Sequence, residues 1–224
     1  MRRFLLNPIF ILFTFLAFSQ ESNYNECKKA MATLDNVVSR FTSFKGKFVH
    51  TISSIDDSFK QSEEGYLYLE KGKMKWEYTN PEGKIALYDG RWAYLYIKED
   101  NTLYKIKISS QKRIPFFLKI LLGEMKPSTK FFCANSNREE GLIKIELGYE
   151  EKEPSFRRVS VIVNEREKFL QEISFINEFD ERVTFKFLEG ETGIKFKDDT
   201  FSFSPGVGTK TIEDTESFQE NLGF

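Results

Sequence analysis

The chain has 224 residues and a formal net charge of −1, and hydrophobic residues make up 40% of it. This length favours one domain, and the balanced charge argues against nucleic acid as a partner. The 24 phenylalanines and 9 tyrosines are unusual, because so many rings need a bulky core or an apolar cavity to bury them.

The first residues have the pattern of an export signal. Two arginines precede an apolar run over residues 4–18, and small residues then form a cleavage site near Ser19 and Gln20. The run is shorter than the roughly 20 residues that a membrane anchor, the alternative, would need. We therefore expect residues 1–19 to be a cleaved signal peptide and residues 20–224 to form one domain.

The sequence contains only two cysteines, Cys27 and Cys133. Export to an oxidising compartment allows a disulfide between them. Two buried thiols are the alternative, and the spacing does not decide between the two.

A helix is predicted over residues 24–41, where apolar residues recur at steps of three and four. The period then changes to two, which is typical of half-buried strands. Short turns separate the successive strands, so we expect antiparallel pairing. Strands are predicted near 44–52, 64–72, 73–79, 84–90, 91–100, 101–109, 131–134, 141–149, 156–163, 168–177, 182–189 and 194–203.

The stretch "KMKWEYTNPEGKIALYDG", residues 73–90, carries the clearest apolar face. Bulky apolar side chains alternate with charged ones, and Asp89-Gly90 is a strong hairpin dipeptide. Such a face is typical of a core, and it would equally suit the floor of a cavity for an acyl chain. The candidate floor residues are Phe48, Met74, Trp76, Tyr78, Trp92, Tyr94 and Tyr96.

A second helix is predicted within "RIPFFLKILLGE", residues 113–124, between a proline suited to its first turn and Gly123 at its end. Because this helix is apolar nearly all round, it must be buried or must cover an apolar surface. A mobile lid that fills an empty cavity fits this pattern. The candidate lid residues are Pro115, Phe116, Phe117, Leu118 and Leu121.

The motifs of common enzymes are missing from the sequence. His50 is the only histidine, which excludes multi-histidine metal sites, and no G-x-S-x-G motif is present. His50 is in register with apolar strand positions, where a structural role is more frequent than catalysis. We expect no metal or cofactor, and a hydrolase that uses His50 with scattered carboxylates stays as an alternative.

Four segments in this order resemble the LolA family of periplasmic outer-membrane lipoprotein carriers. "FTSFKGKFVH" is similar to the family's F-x-A-x-F-x-Q, with His50 at the glutamine position. "GYLYLEKGKMKWEYTNPEGKIALYDGRWAYLY" is similar to the family's core signature. "IPFFLKILLG" resembles its lid helix, and "FSFSPGV" resembles its closing motif.

The resemblance implies an incomplete, open antiparallel barrel of about eleven strands, with helices over a hydrophobic face. It implies a periplasmic carrier that takes lipoproteins by their acyl chains from an inner-membrane ABC transporter to an outer-membrane receptor. The transporter would spend the ATP, so the carrier itself would not be an enzyme. We also expect the carrier to be a monomer. The alternative is a carrier or sensor of another lipid or glycolipid.

This chain departs from the family at the strand that holds the lid. The family often has an Arg-Pro before this strand, and that arginine bonds the lid backbone; here the segment reads "EKGKMKW". Lys71 or Lys73 is the candidate substitute, although a lysine lacks the planar fork of donors. The family's tryptophan in the next strand is replaced by Tyr94.

Overall fold

A single large sheet and two α-helices make up most of the structure. The computed structural model describes the backbone of residues 9–40, 42–108, 116–150 and 156–213, and side chains from residue 23 onward. The helices are α1 (Ile9–Arg40), α2 (Phe116–Leu121) and a 3-10 turn at Pro127–Thr129. The strands are β1 (Ser43–Ser54), β2 (Lys60–Glu70), β3 (Lys73–Asn80), β4 (Glu82–Tyr88), β5 (Trp92–Ile97), β6 (Thr102–Lys107), β7 (Phe132–Glu139), β8 (Leu142–Gly148), β9 (Phe156–Asn164), β10 (Phe169–Asn177), β11 (Glu181–Thr192) and β12 (Lys210–Ile212).

The twelve strands form one open sheet in the order β12-β6-β5-β4-β3-β2-β1-β11-β10-β9-β8-β7. Neighbours in the sheet pair antiparallel apart from β12 and β6, and β1 joins the two halves by pairing with both β2 and β11. Phe48 of β1 therefore lies between Gly65 and Phe187. This confirms the predicted open antiparallel sheet. The strand beyond the expected eleven is the short β12, which runs parallel to β6.

The core lies between one face of the sheet, called here the inner face, and the two helices. α1 packs mainly on β7 to β10 and buries Leu34, Val37 and Val38 along one stripe. The helix predicted over 24–41 is present, but it begins at Ile9, inside the segment predicted as a signal peptide. In the part of the chain that is described, no helix is long and apolar enough to cross a membrane.

A segment at residues 193–209, called here the C-terminal segment, covers part of the outer face. The strand predicted at 194–203 is wrong, because this stretch forms no ladder with the sheet. Its alternating phenylalanines instead pack on tyrosines of the outer face: Phe203 lies 4.9 Å from Tyr96, and Phe196 lies 6.3 Å from Tyr68, between ring centroids. The alternation of apolar residues in this segment therefore reflects packing on the outer face of the sheet and not strand pairing within it.

A disulfide fixes α1 to the edge strand β7. It joins Cys27 to Cys133, whose Cα atoms are 5.5 Å apart. Asp35, further along α1, accepts a hydrogen bond from the backbone of Ser128, so α1 is anchored at a second point. The two cysteines are therefore joined by a disulfide and are not two buried free thiols.

Replacing both Cys27 and Cys133 with alanine should lower the free energy of unfolding by about 2–4 kcal/mol. The reason is that the bond spans 106 residues and so restricts the unfolded chain strongly. Urea denaturation measures the change. A reductant should destabilise the native protein to a similar extent and leave the double variant as it was; equal midpoints for native and variant proteins would contradict this role.

Candidate functional site

The middle of the inner face is an aromatic floor built from β1 and β3. Phe48, Trp76 and Tyr78 are each at most 5% exposed. The Phe48 ring meets both partners edge to face, with centroids 4.6 Å from Trp76 and 5.1 Å from Tyr78. Met74 continues the same face of β3 and is also buried. The alternation of residues 73–80 thus places its bulky side chains together, as the sequence predicts.

Gly65 makes the close approach of these rings sterically feasible. It lies opposite Phe48 on one side and Tyr78 on the other. A Cβ atom at this position would collide with the backbone carbonyl oxygen of Glu77, which cannot move without displacing its strand. A larger residue would therefore push β3 away from β2 and open the floor.

The three aromatic residues of β5 do not belong to this floor. Ala93 and Leu95 point to the inner face, so Trp92, Tyr94 and Tyr96 lie on the outer face. There they are engaged by other groups: Lys105 lies 3.9 Å from the centroid of the Trp92 ring, and Phe203 packs on Tyr96. The expectation that they line the cavity is corrected.

The lid predicted from the apolar helix corresponds to α2, which lies on the inner face. Phe117 stacks on Phe185 and Phe175, with centroids 4.9 and 5.4 Å away, and Phe116 lies 4.0 Å from Phe156. Three further residues of this region, Ile120, Leu121 and Leu122, are 1% exposed. Leu118 is partly buried against the same core, and Pro115 lies outside the described residues.

The lysines expected to hold the lid are elsewhere. Lys73 lies on the outer face, where its Nζ is 6.0 Å from the ring centroid of Phe201 in the C-terminal segment. Because Met74 points inward, strand alternation directs Lys73 away from α2. Lys71 is exposed in the turn between β2 and β3. The expectation of a gating cation at these positions is corrected, and α2 meets the sheet through its rings.

A buried polar cluster borders the aromatic floor, and no sequence motif predicts it. The Nδ1 atom of His50 is 3.3 Å from a carboxylate oxygen of Glu63, and the Nζ atom of Lys84 is 2.5 and 2.6 Å from the two carboxylate oxygens. The side chain of His50 is 1% exposed, that of Glu63 12% and that of Lys84 14%. The His50 ring also stacks on Phe185, with centroids 4.4 Å apart.

Burial and pairing set the charges in this cluster. Burial lowers the pKa of His50 below its ordinary value and outweighs the opposing effect of Glu63. For Glu63, burial raises the pKa, but the hydrogen bonds from His50 and Lys84 outweigh it, so its pKa is lowered. At neutral pH the cluster therefore holds an ionised Glu63 carboxylate and a neutral His50 imidazole.

This arrangement does not provide the parts of a hydrolase. The Nε2 atom of His50 has no hydrogen-bond partner among the described residues, so no hydroxyl group there is held against it as a nucleophile. Within the described ranges, no group of three or more His, Cys, Asp or Glu side chains could hold a metal ion. The inner face offers apolar surface with one polar end.

Comparison with known proteins identifies relatives for most of the chain. The family model described as "Outer membrane lipoprotein carrier protein LolA" matches residues 39–204. No curated protein sequence matches. An uncharacterised conserved protein from Thermus thermophilus has a similar structure, with a TM-score of 0.53 at 9% identity over 84% of this chain and 99% of that one. Likeness at this identity concerns the fold alone.

Two further solved structures match less closely. A LolA superfamily protein from Nitrosomonas europaea has a TM-score of 0.42 at 9% identity, over 79% of this chain and 97% of its own. MucB has a TM-score of 0.42 at 14% identity, over 80% of this chain and 63% of its own.

The free energy of unfolding should fall by about 1 kcal/mol between pH 7.5 and pH 5.5 because of His50. Its pKa is lowered in the folded state, so below about pH 6.5 the unfolded chain takes up a proton that the folded chain excludes. Urea denaturation at both pH values measures the loss. His50→Gln should show a smaller loss, because glutamine does not titrate and can still donate a hydrogen bond to Glu63; equal losses would contradict the burial of a neutral imidazole.

Proposed function

The chain belongs to the LolA family, and from this premise we propose that it is a periplasmic carrier of lipoproteins. In this proposal the acyl chains of a lipoprotein lie on the aromatic floor formed by Phe48, Met74, Trp76 and Tyr78, and α2 is the lid that leaves the inner face beside this floor when cargo enters. The protein receives lipoproteins from an inner-membrane ABC transporter and delivers them to an outer-membrane receptor, without catalysing a reaction.

The packing of α2 on Phe185, whose ring centroid lies 5.3 Å from that of Trp76 in the floor, is the observation that carries this proposal. Burial of four inward side chains, Phe117, Ile120 and Leu121 of the helix and Leu122 after it, stabilises the closed state by about 2 kcal/mol each, or about 8 kcal/mol together. One acyl chain of about 16 carbons gains about 12 kcal/mol when fully buried, at about 0.8 kcal/mol per methylene. One or more acyl chains could thus replace the lid on the inner face, and the lid could replace them on release.

The disulfide between Cys27 and Cys133 supports export. Disulfides persist in oxidising compartments such as the periplasm and are rare in the reducing cytosol. Together with the export pattern of residues 1–19, this favours cleavage near Ser19 and Gln20 and a mature domain over residues 20–224 that acts in the periplasm.

The proposed cargo can be identified directly. Mature protein purified from the periplasm of the organism that makes it should carry lipoproteins, which protein and lipid mass spectrometry would detect. Depletion of the protein should in parallel leave lipoproteins in the inner membrane. Co-purification of a free lipid or glycolipid in place of lipoproteins, with sorting intact after depletion, would contradict the proposal and favour a carrier or sensor of that lipid.

Phe117→Ala should raise the apparent affinity for a fluorescent acyl probe at least severalfold. The change removes a contact made in the closed state, so a larger fraction of the protein is open to the probe. Fluorescence titration measures the dissociation constant. Phe203→Ala is the matched control, because this ring packs on Tyr96 at the outer face and its loss should leave the affinity within about twofold. Unchanged or weaker binding by Phe117→Ala would contradict a lid that competes with cargo.

A further inference from the structure

The neutral imidazole of His50 presents an unused acceptor to the inner face. Glu63 is ionised, so its carboxylate only accepts hydrogen bonds. The proton on the His50 ring therefore resides on Nδ1, which donates to Glu63. In this tautomer Nε2 carries a lone pair and no proton, and it can only accept.

The Nε2 atom has no partner although it is buried. It lies in a ring that is 1% exposed, and it makes no hydrogen bond to any described group. A buried acceptor without a donor is costly, and proteins retain such atoms where a ligand or a water molecule completes them. Two neighbours of His50 on this face, Phe48 and Phe185, are apolar, and Glu63 bonds only the Nδ1 atom of the ring.

The acceptor lies next to the path proposed for the acyl chain. His50 stacks on Phe185, and Phe185 is in turn covered by Phe117 of the lid. Lys84 of the same polar cluster lies 4.1 Å from the centroid of the Tyr78 ring, which belongs to the aromatic floor. Withdrawal of α2 would therefore uncover an apolar surface that ends at an imidazole acceptor.

We infer that His50 is a polar subsite that accepts a hydrogen bond from an N–H or O–H group attached to the acyl-bearing cargo. This inference rests on the proposed function and adds to it the chemistry of the cargo next to its chains. Glu63 is a positioning residue, because it fixes the tautomer, and Lys84 keeps Glu63 ionised. The donor can come from an amide of an N-acylated cargo or from a hydroxyl of a glycerolipid.

Three probes with one chain length separate these sources: palmitamide offers an N–H group, monopalmitoylglycerol offers O–H groups, and methyl palmitate offers neither. Displacement of a fluorescent acyl probe from the native protein gives the three affinities. We expect at least one of the two donor-bearing probes to bind about three- to tenfold more tightly than methyl palmitate, as one neutral hydrogen bond allows. The better of the two identifies the source.

Variants at one strand position test whether His50 causes the preference. His50→Leu should bring the ratio between the preferred probe and methyl palmitate close to one, and His50→Gln, which restores an acceptor, should keep most of it. Thr51→Val is the matched control, because Thr51 lies on the other face of β1 and bonds Ser62 there. A ratio that is the same in the native protein and in His50→Leu would overturn the inference.

A second readout needs no variant. His50 is the only histidine, so 15N-histidine labelling of the untagged protein reports on this ring alone. The Nε2 resonance should move toward the hydrogen-bonded position with the preferred probe and stay in place with methyl palmitate. Equal movement with both probes would overturn the inference.

The two proposals fail in different ways. If all three probes bind the native protein equally well, acyl binding stands and the polar subsite is overturned. If none of the probes displaces the fluorescent acyl chain, the carrier function fails and the subsite fails with it.

Discussion

The inner face of the open sheet needs a cover, because an open sheet of this size leaves one long apolar surface that cannot remain in water. The aromatic floor sits at its middle, on β1, which joins the two halves, and on β3, and Phe185 of β11 packs beside Trp76 from the other half. The helices and the hairpins are arranged around this face. The two helices cover it, and the hairpins keep its residues in register, since a slip by one residue would turn the bulky side chains outward.

The two helices cover the face in different ways, and this division is the basis of the proposed mechanism. α1 is bound covalently to β7 through Cys27 and Cys133 and anchored again through Asp35. α2 is a helix of six residues that meets the sheet through the rings of Phe116 and Phe117. Apolar contacts lack direction, so acyl chains can replace the rings without leaving a polar group unpaired. In the proposed mechanism, a fixed helix and an exchangeable one share a single surface.

Much of this architecture could be predicted from sequence periodicity. The alternation in residues 73–80 correctly placed Met74, Trp76 and Tyr78 on one face, and the apolar run correctly predicted a helix at 116–121. Alternation does not say which face of a strand is inward, however. In β5 the bulky aromatic face is the outer one, because the C-terminal segment covers it with Phe203. The alternating phenylalanines of that segment imitated a strand for the same reason.

The polar cluster could not be predicted from the sequence. Its members lie on three different strands, share no motif and are brought together only by strand pairing: His50, Glu63 and Lys84. The central claim, that acyl chains bind the inner face, is tested most directly by a photoreactive palmitoyl lipid and mass spectrometric mapping of the cross-links. We expect cross-links on β1, β3 and α2, at and around Phe48, Trp76 and Phe117. Cross-links confined to Trp92, Tyr96 and the C-terminal segment would place the lipid on the outer face and contradict it.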